Sequence, residues 1–416
     1  MSRSALARSL PGRIQSSARS FRSVLALPHA PAVAASSLVA RLPKGMVPLA
    51  TVLLLHQVTG SYALAGLTAA LVAVGDAAST PFQGRLVDRV GRGFVLIPTA
   101  AVHVTAVTAL LLLARTHAPA GALAGSAVVV GIGMPPVSGS IKAVWPQLVG
   151  PDHVADAYTI ESLLQQIVFL AGPLLVALLA GTSSPAVALV CSAAMVLVGN
   201  IWFTAAAARL AHPVTGQAHA RIASWGRDVW ILVGCTVVQG LIFGTLPVGL
   251  AAVTAAAKLP YLAGVLQAAT TVGGLTGTFA LAVAASRDGY VRVTVAFAAA
   301  LVPAAVLATA PSAPVLAAVG FSLAIAGLFV TPLAAISYVL MEQAATPARR
   351  TEAFAWLSTG LAVGTAAGSG LAGLLAGLAG PAAALLIAPA AAGLSALLAT
   401  LLRGGGTQTL AKQTTS

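Results

Sequence analysis

The chain has 416 residues, of which 58% are hydrophobic and only 7% charged, and its mean hydropathy is +0.95. A water-soluble domain carries roughly a quarter of its residues as charges, so this composition excludes water as the solvent for most of the surface. The 22 Lys and Arg outnumber the 9 Asp and Glu, giving +13, but nucleic-acid binding needs basic residues gathered on one solvated face, and here they are dispersed along the chain.

The first 22 residues form a basic tail with Arg3, Arg8, Arg13, Arg19 and Arg22. No short apolar stretch with a small-residue cleavage site follows, so they read as a cytoplasmic tail and not as a cleaved signal. About 20 apolar residues cross roughly 30 Å of hydrocarbon, and runs of this length then recur along the chain. Residues 31–57, 62–83, 94–115, 119–141, 155–180 and 185–207 supply six. Residues 229–253, 261–284, 292–310, 313–338, 353–378 and 382–402 supply six more. The expected fold is an all-α membrane protein of twelve transmembrane helices in two pseudo-symmetric halves, 23–208 and 229–403. A cytoplasmic linker, 209–228, joins the halves, and a second cytoplasmic tail, 404–416, ends the chain.

Charge follows the membrane. Arg85, Arg89, Arg92, Arg209, Arg221, Arg227, Arg287, Arg292, Arg349, Arg350, Arg403 and Lys412 fall on the side of the basic tail, against Arg115 and Lys258 on the other. The positive-inside rule then places both termini in the cytoplasm of a multi-pass cell-membrane protein. Trp145, Trp202, Trp225, Trp230 and Trp356 all fall near the same side, where an interfacial aromatic belt is expected. Cys191 and Cys235 sit in separate spans, which suits small core residues and neither a disulfide framework nor a metal cluster.

The halves repeat. Leu64-Ala65-Gly66 with Val74-Gly75 returns as Leu262-Ala263-Gly264 with Val272-Gly273, an offset of 198, and Gly45-Met46-Val47-Pro48 faces Gly244-Thr245-Leu246-Pro247 at 199. Six plus six helices of one orientation describe two parallel repeats, the arrangement that supports alternating access. Helix breaks are expected at paired places around a central cavity: in spans one and seven, and in spans four and ten at Gly133, Pro135 and Pro136 against Gly327 and Pro332.

After the second span, residues 84–93 read GRLVDRVGRG. Gly84, Leu86, Asp88, Arg89, Gly91 and Arg92 match, at the same spacing, the signature loop between the second and third helices of the major facilitator superfamily; Gly93 replaces a usual basic residue. The chain thus resembles that superfamily, and its short linker is similar to bacterial efflux permeases more than to sugar importers. Gly172-Pro173 is a weaker likeness to an antiporter motif. The resemblance implies a secondary transporter with a conformational latch at Gly84, Asp88, Arg89, Gly91 and Arg92. It also implies that Asp88 caps the eleventh helix near Thr351 and Glu352 when the cytoplasmic side is closed, with Glu352 or Asp156 receiving an arginine. At the 198 offset only Arg287 and Gly289 survive, among Ala282, Ser286 and Tyr290, so the latch is complete on one half alone.

Ionisable groups inside a bilayer cost a few kcal/mol each, and therefore pair, face the interior or mark a pathway. Arg41, Lys44, Asp76 and Glu161 are such groups. Asp76 has Gly274 at the repeat position, so the fold needs no acid there; it is the first proton-coupling candidate, either titrating or held in an ion pair with Arg41. Glu161 is the second, with an ion pair to Lys142 as its alternative. Arg41, Lys44, Gln165 and Gln239 are substrate-cavity candidates, while His103 reads as a bonded core residue. The expected partners are a small molecule, protons and the bilayer, with no nucleic acid, metal or cofactor, and the expected state is a monomer. The chain lacks a GxxxxGK[ST] loop and an HExxH pair, and Asp152, His153 and Asp156 form a short solvated loop, so it does not read as an enzyme. The leading function is proton-coupled efflux by antiport. The alternatives are an uncoupled facilitator, a lipid scramblase or a polytopic membrane enzyme.

Overall fold

In the computed structural model of the chain, residues 27, 29–149, 154–208, 226–280, 286–345 and 350–402 are described. Both tails, Arg349 and most of the linker lie outside them, including Arg209, Arg221 and Trp225. So do Asp152, His153, Ala282 and the side chains of Asp88, Asp156, Thr351 and Glu352. The described elements are all helices: α1 Ala30–Thr59, α2 Tyr62–Val90, α3 Arg92–Arg115, α4 Ala120–Ile132, α5 Val137–Val149, α6 Val154–Thr182 and α7 Pro185–Ala206, then α8 Arg227–Ala256, α9 Leu262–Ala280, α10 Arg287–Leu307, α11 Ala313–Ala344, α12 Arg350–Ala379 and α13 Pro381–Thr400.

The connections use ordinary stop and start chemistry. Ser61, Ser184 and Ser286 accept hydrogen bonds from the backbone N–H three residues ahead, at 3.2, 3.4 and 3.1 Å, and Pro185 and Pro381 open their helices where no donor is lost. Eleven helical segments among the described residues are long and apolar enough to cross a membrane, with 120–149 counted as one. α9 completes twelve; Gln267, Thr270, Thr271 and Thr276 lower its hydropathy. The surface is apolar where a soluble protein's is polar: Phe94 is 80% exposed and Leu378 76%, whereas Arg41 and Trp145 are buried.

Packing repeats between the halves. In the first, α1 lies on α6 and α7, α2 on α4, and α3 on α7; in the second, α8 lies on α12 and α13, α9 on α11, and α10 on α13. The repeated glycines occupy equivalent contacts. Gly45 sits against Val168 and Gly172 of α6, as Gly244 sits against Thr365 and Ser369 of α12; Gly75 sits against Gly131 of α4, as Gly273 sits against Gly327 of α11.

The breaks are not paired. Among the described residues only span four divides, into α4 and α5, because consecutive Pro135 and Pro136 remove two backbone donors. α11 runs through Pro332, α1 through Pro43 and Pro48, and α8 through Pro247, so the expected breaks in spans one, seven and ten are absent from these described helices.

The halves meet through α2 on α12 and α6 on α9. Their contacts run from the face holding Tyr62 towards mid-depth. Gly66 lies against Ser369 and Gly373, Tyr62 Oη donates to Ala251 O at 3.3 Å, Gly181 lies against Tyr261, and Gly264 against Pro173 and Ala177. The deepest hydrogen bonds join Thr271 Oγ1 to Phe169 O at 3.3 Å and Gln166 Nε2 to Thr331 Oγ1 at 3.4 Å. Towards the other face, which carries Arg85, Arg89 and Arg92 and is termed basic below, α2 faces a cavity and a side chain added at Gly84 would meet open space.

Candidate functional site

The four charges within the spans form two ion pairs that differ in kind. Arg41 and Lys44 are three residues apart on α1, so their side chains diverge by about 60° around the helix axis and reach different neighbours. Arg41 turns to α6 and pairs with Glu161, while Lys44 turns to α2, its Nζ 3.2 Å from Asp76 Oδ2.

The Arg41–Glu161 pair is sealed. Arg41 is 1% exposed and Glu161 4%. Arg41 donates Nη1 to Gln165 Oε1 at 3.4 Å and Nε to Ser37 O at 3.1 Å, and Trp145 Nε1 donates to Glu161 Oε2 at 3.3 Å. Two buried charges with their remaining hydrogen-bonding capacity taken up hold helices in register; neither is positioned to meet a solute. This corrects three expectations. Glu161 pairs with Arg41 and not with Lys142, which is exposed; Arg41 is enclosed and does not line the cavity beside Lys44; and Trp145 is enclosed against Glu161, not part of an interfacial belt. Trp202, Trp230 and Trp356 are exposed, the last two edge to face with centroids 5.4 Å apart.

The Lys44–Asp76 pair is accessible, with side chains 27% and 30% exposed. It corrects the expected Asp76 to Arg41 contact. Thr80, one turn along α2, donates to Asp76 O at 2.7 Å and lies 3.3 Å from Asp76 Oδ1. Behind the pair, Gly131 of α4 packs on the Asp76 backbone, and buried His103 of α3 places Nδ1 2.9 Å from Val130 O. His103 is thus a bonded core residue, as its solitary place in span three suggested. Lys44 also lines a cavity of about 250 Å³ that opens towards the basic face, with Thr80, Gly84, Val87 and Arg92 on one wall and Pro136 to Ala143 on the other.

The polar candidates divide likewise. Gln165 is half-buried beside Arg41. Gln239 belongs to the core of the second half and is corrected as a cavity residue: its Nε2 donates to Tyr290 Oη at 2.7 Å and Ser337 Oγ at 3.4 Å, and Tyr290 Oη meets Ser395 Oγ at 3.1 Å. Nothing in the sequence distinguishes the two glutamines, because hydropathy does not say which face of a span meets the cavity.

The loop motif spans the end of α2 and the start of α3. Gly91, between them, has φ +94°, a backbone that only glycine adopts without strain. Gly84 and Asp88 lie in the last turns of α2, and Arg89 is exposed. Arg92 is buried and donates Nη2 to Ala207 O at the end of α7, 3.3 Å away, which ties the third and sixth spans together. Tyr62, unremarked in the sequence, is stacked on His56 at 3.6 Å and bonded across the halves to Ala251.

No family model and no curated protein matches the sequence. Solved structures do match in fold. A mutant of the nucleoside transporter NupG superposes with a TM-score of 0.72 at 16% identity, over 90% of this chain and 100% of that one. A bacterial homologue of the iron transporter ferroportin, in its inward-facing state, gives 0.69 at 16% identity over 89% and 97%; its outward-facing state gives 0.60. The xylose transporter XylE from E. coli, inward open, gives 0.65 at 14% identity over 94% and 98%. With its twelve spans, repeated packing and cavity open on one face, the chain is an integral membrane protein with the fold of the major facilitator superfamily transporters.

Proposed function

We propose that the protein is a proton-coupled secondary active transporter of a small molecule in the plasma membrane, working by alternating access. The basic face is cytoplasmic in this reading, both termini lie inside the cell, and the conformation described is inward-open. Asp76 is the coupling acid. The observation that carries this is the accessible ion pair: Asp76 is matched by Lys44 across 3.2 Å while the other intramembrane acid, Glu161, is sealed against Arg41. A proton on Asp76 removes the attraction that ties α2 to α1, and its departure restores it, so protonation biases two arrangements of the same helices. The loop from Gly84 to Arg92 acts as a latch that engages when the cytoplasmic side closes. The resemblance to efflux permeases implies export by proton exchange, which needs substrate and proton to exclude one another at the pair; cotransport needs them to load together, and the sign of the proton signal below separates the two.

The test is transport in inverted membrane vesicles against a panel of compounds, with a dye reporting the proton gradient. A transported compound is expected to dissipate the gradient with the wild-type protein and not with Asp76→Asn. Flux that ignores collapse of the gradient would instead identify an uncoupled facilitator, and pH-dependent flux surviving in Asp76→Asn would remove Asp76 from the coupling role.

A further inference from the structure

The cavity beside Lys44 has a chemistry that the coupling role leaves unexplained. Lys44 and Arg92 both line it, the hydroxyls of Thr80, Ser138 and Ser140 add donors, and no acid lines it among the described residues. Its volume of about 250 Å³ admits a small anion. Of the two cations at its wall, Lys44 is balanced by Asp76 at 3.2 Å, so the positive potential of the cavity rises when Asp76 takes up a proton.

We propose that this cavity binds a small oxyanion, carboxylate-, phosphate- or sulfonate-like, with Lys44 as its principal ligand, and that the anion and a proton on Asp76 load together. The inference rests on the reading of Asp76 as the coupling acid. Lys44 has one ammonium and two claimants, the carboxylate of Asp76 at 3.2 Å and an anion in the cavity. With Asp76 ionised, Lys44 is engaged and the entering anion meets a paired charge. With Asp76 protonated, the ammonium is free to turn to the cavity. Reciprocity of linkage then requires the bound anion to favour the proton on Asp76 to the same degree. Such a site drives cotransport, in which substrate and proton move in one direction, and it disfavours organic cations, which Lys44 and Arg92 repel.

Of the other titratable groups around the pair, buried His103 of α3 lies within electrostatic reach of Asp76 and is hydrogen-bonded through Nδ1 to Val130 O. From α1, Arg41 faces away to Glu161, and from α3, Arg92 holds Ala207 O. On α2, Arg85 and Arg89 are exposed at the basic end, as is Lys142 on α5.

The test is calorimetric titration of the purified full-length protein in nanodiscs with sulfate and with methanesulfonate, whose charges are constant between about pH 5.5 and pH 8. Sulfate represents a free inorganic oxyanion, methanesulfonate an organic acid, and dimethyl sulfone the neutral control. At least one anion is expected to bind, and more tightly at the lower pH. Lys44→Gln is expected to abolish this binding and Lys44→Arg to keep it, with melting and elution profiles checking that each variant is folded. Asp76→Asn is expected to bind equally well at both pH values. Absence of binding by both anions, equal binding of dimethyl sulfone, or unchanged affinity in Lys44→Gln would overturn the site. Wild-type affinity that does not change with pH would overturn the linkage. If both anions fail to bind while Asp76→Asn still abolishes proton movement in vesicles, the anion site falls and the coupling reading stands. If anion binding behaves as described but Asp76→Asn retains pH-dependent flux, the coupling reading falls instead.

Discussion

Gly66 provides the sharpest test of alternating access because its surroundings belong to one conformation. A Cβ added there would lie 2.5 Å from Ser369 O and 2.7 Å from Gly373 Cα, both backbone atoms of α12 that no rotamer change can move. Gly66→Val therefore cannot fit unless α2 and α12 part at the Tyr62 face, which is the motion that opens this face to solvent. Overpacking of this kind costs about 1–3 kcal/mol. Borne by the inward-open state alone, it shifts the ratio of the two states about five- to 150-fold towards outward-open. The assay uses Ala70→Cys as a reporter, since Ala70 is buried beside Gly370 at the same junction, with Cys191 and Cys235 replaced by serine. A membrane-impermeant maleimide added from the Tyr62 face is expected to label Ala70→Cys faster in the Gly66→Val background by that factor. Gly84→Val supplies the opposite sign: its added side chain meets open space here and would obstruct closure at the basic face, so labelling should slow. Unchanged labelling in both backgrounds, or slower labelling with Gly66→Val, would refute the idea that these junctions part in turn.

Three further outcomes follow from named contacts. Arg41→Met leaves Glu161 buried without its cation and should destabilise the protein by about 3–5 kcal/mol in thermal melting, with Arg41→Met/Glu161→Met recovering most of the loss; an equally unstable double variant would show that the pair itself carries the stability. Tyr62→Phe removes the hydrogen bond to Ala251 O and should favour outward-open by about 0.5–1.5 kcal/mol, read as a smaller rise in the same labelling rate. Gln239→Leu removes a donor from Tyr290 and Ser337, which keep Ser395 Oγ and Leu333 O as partners, and should lower stability by about 0.5–1.5 kcal/mol without altering ligand affinity; an affinity change with unaltered melting would return Gln239 to the transport pathway.

Much of this molecule is written in its sequence because the bilayer imposes a one-dimensional rule. A span must be apolar for about 20 residues whatever its neighbours are, so helix number and approximate boundaries follow from composition read along the chain. The glycines at 45 and 244, and at 75 and 273, mark helix contacts legibly because a close approach excludes side chains in either half. The same holds for Gly91, whose positive φ confines the loop motif to glycine at that point.

Which charge meets which partner was not legible, since that depends on the rotation of each helix about its axis and on the order of its neighbours. Arg41 and Lys44 are nearly identical in sequence terms, yet one faces α6 and the other α2, so Asp76 pairs with Lys44 where Arg41 was expected, and Glu161 with Arg41 where Lys142 was expected. Proline alone did not foretell a break either: α1, α8 and α11 absorb theirs, and only the doubled Pro135 and Pro136 divide a span. The sequence by itself determined the solvent, the twelve spans and the repeat, because these depend on local hydropathy and small-residue spacing. The tertiary structure alone decided that one ion pair is sealed and the other open to a cavity, because burial in a helix bundle is set by packing from helices distant in the chain.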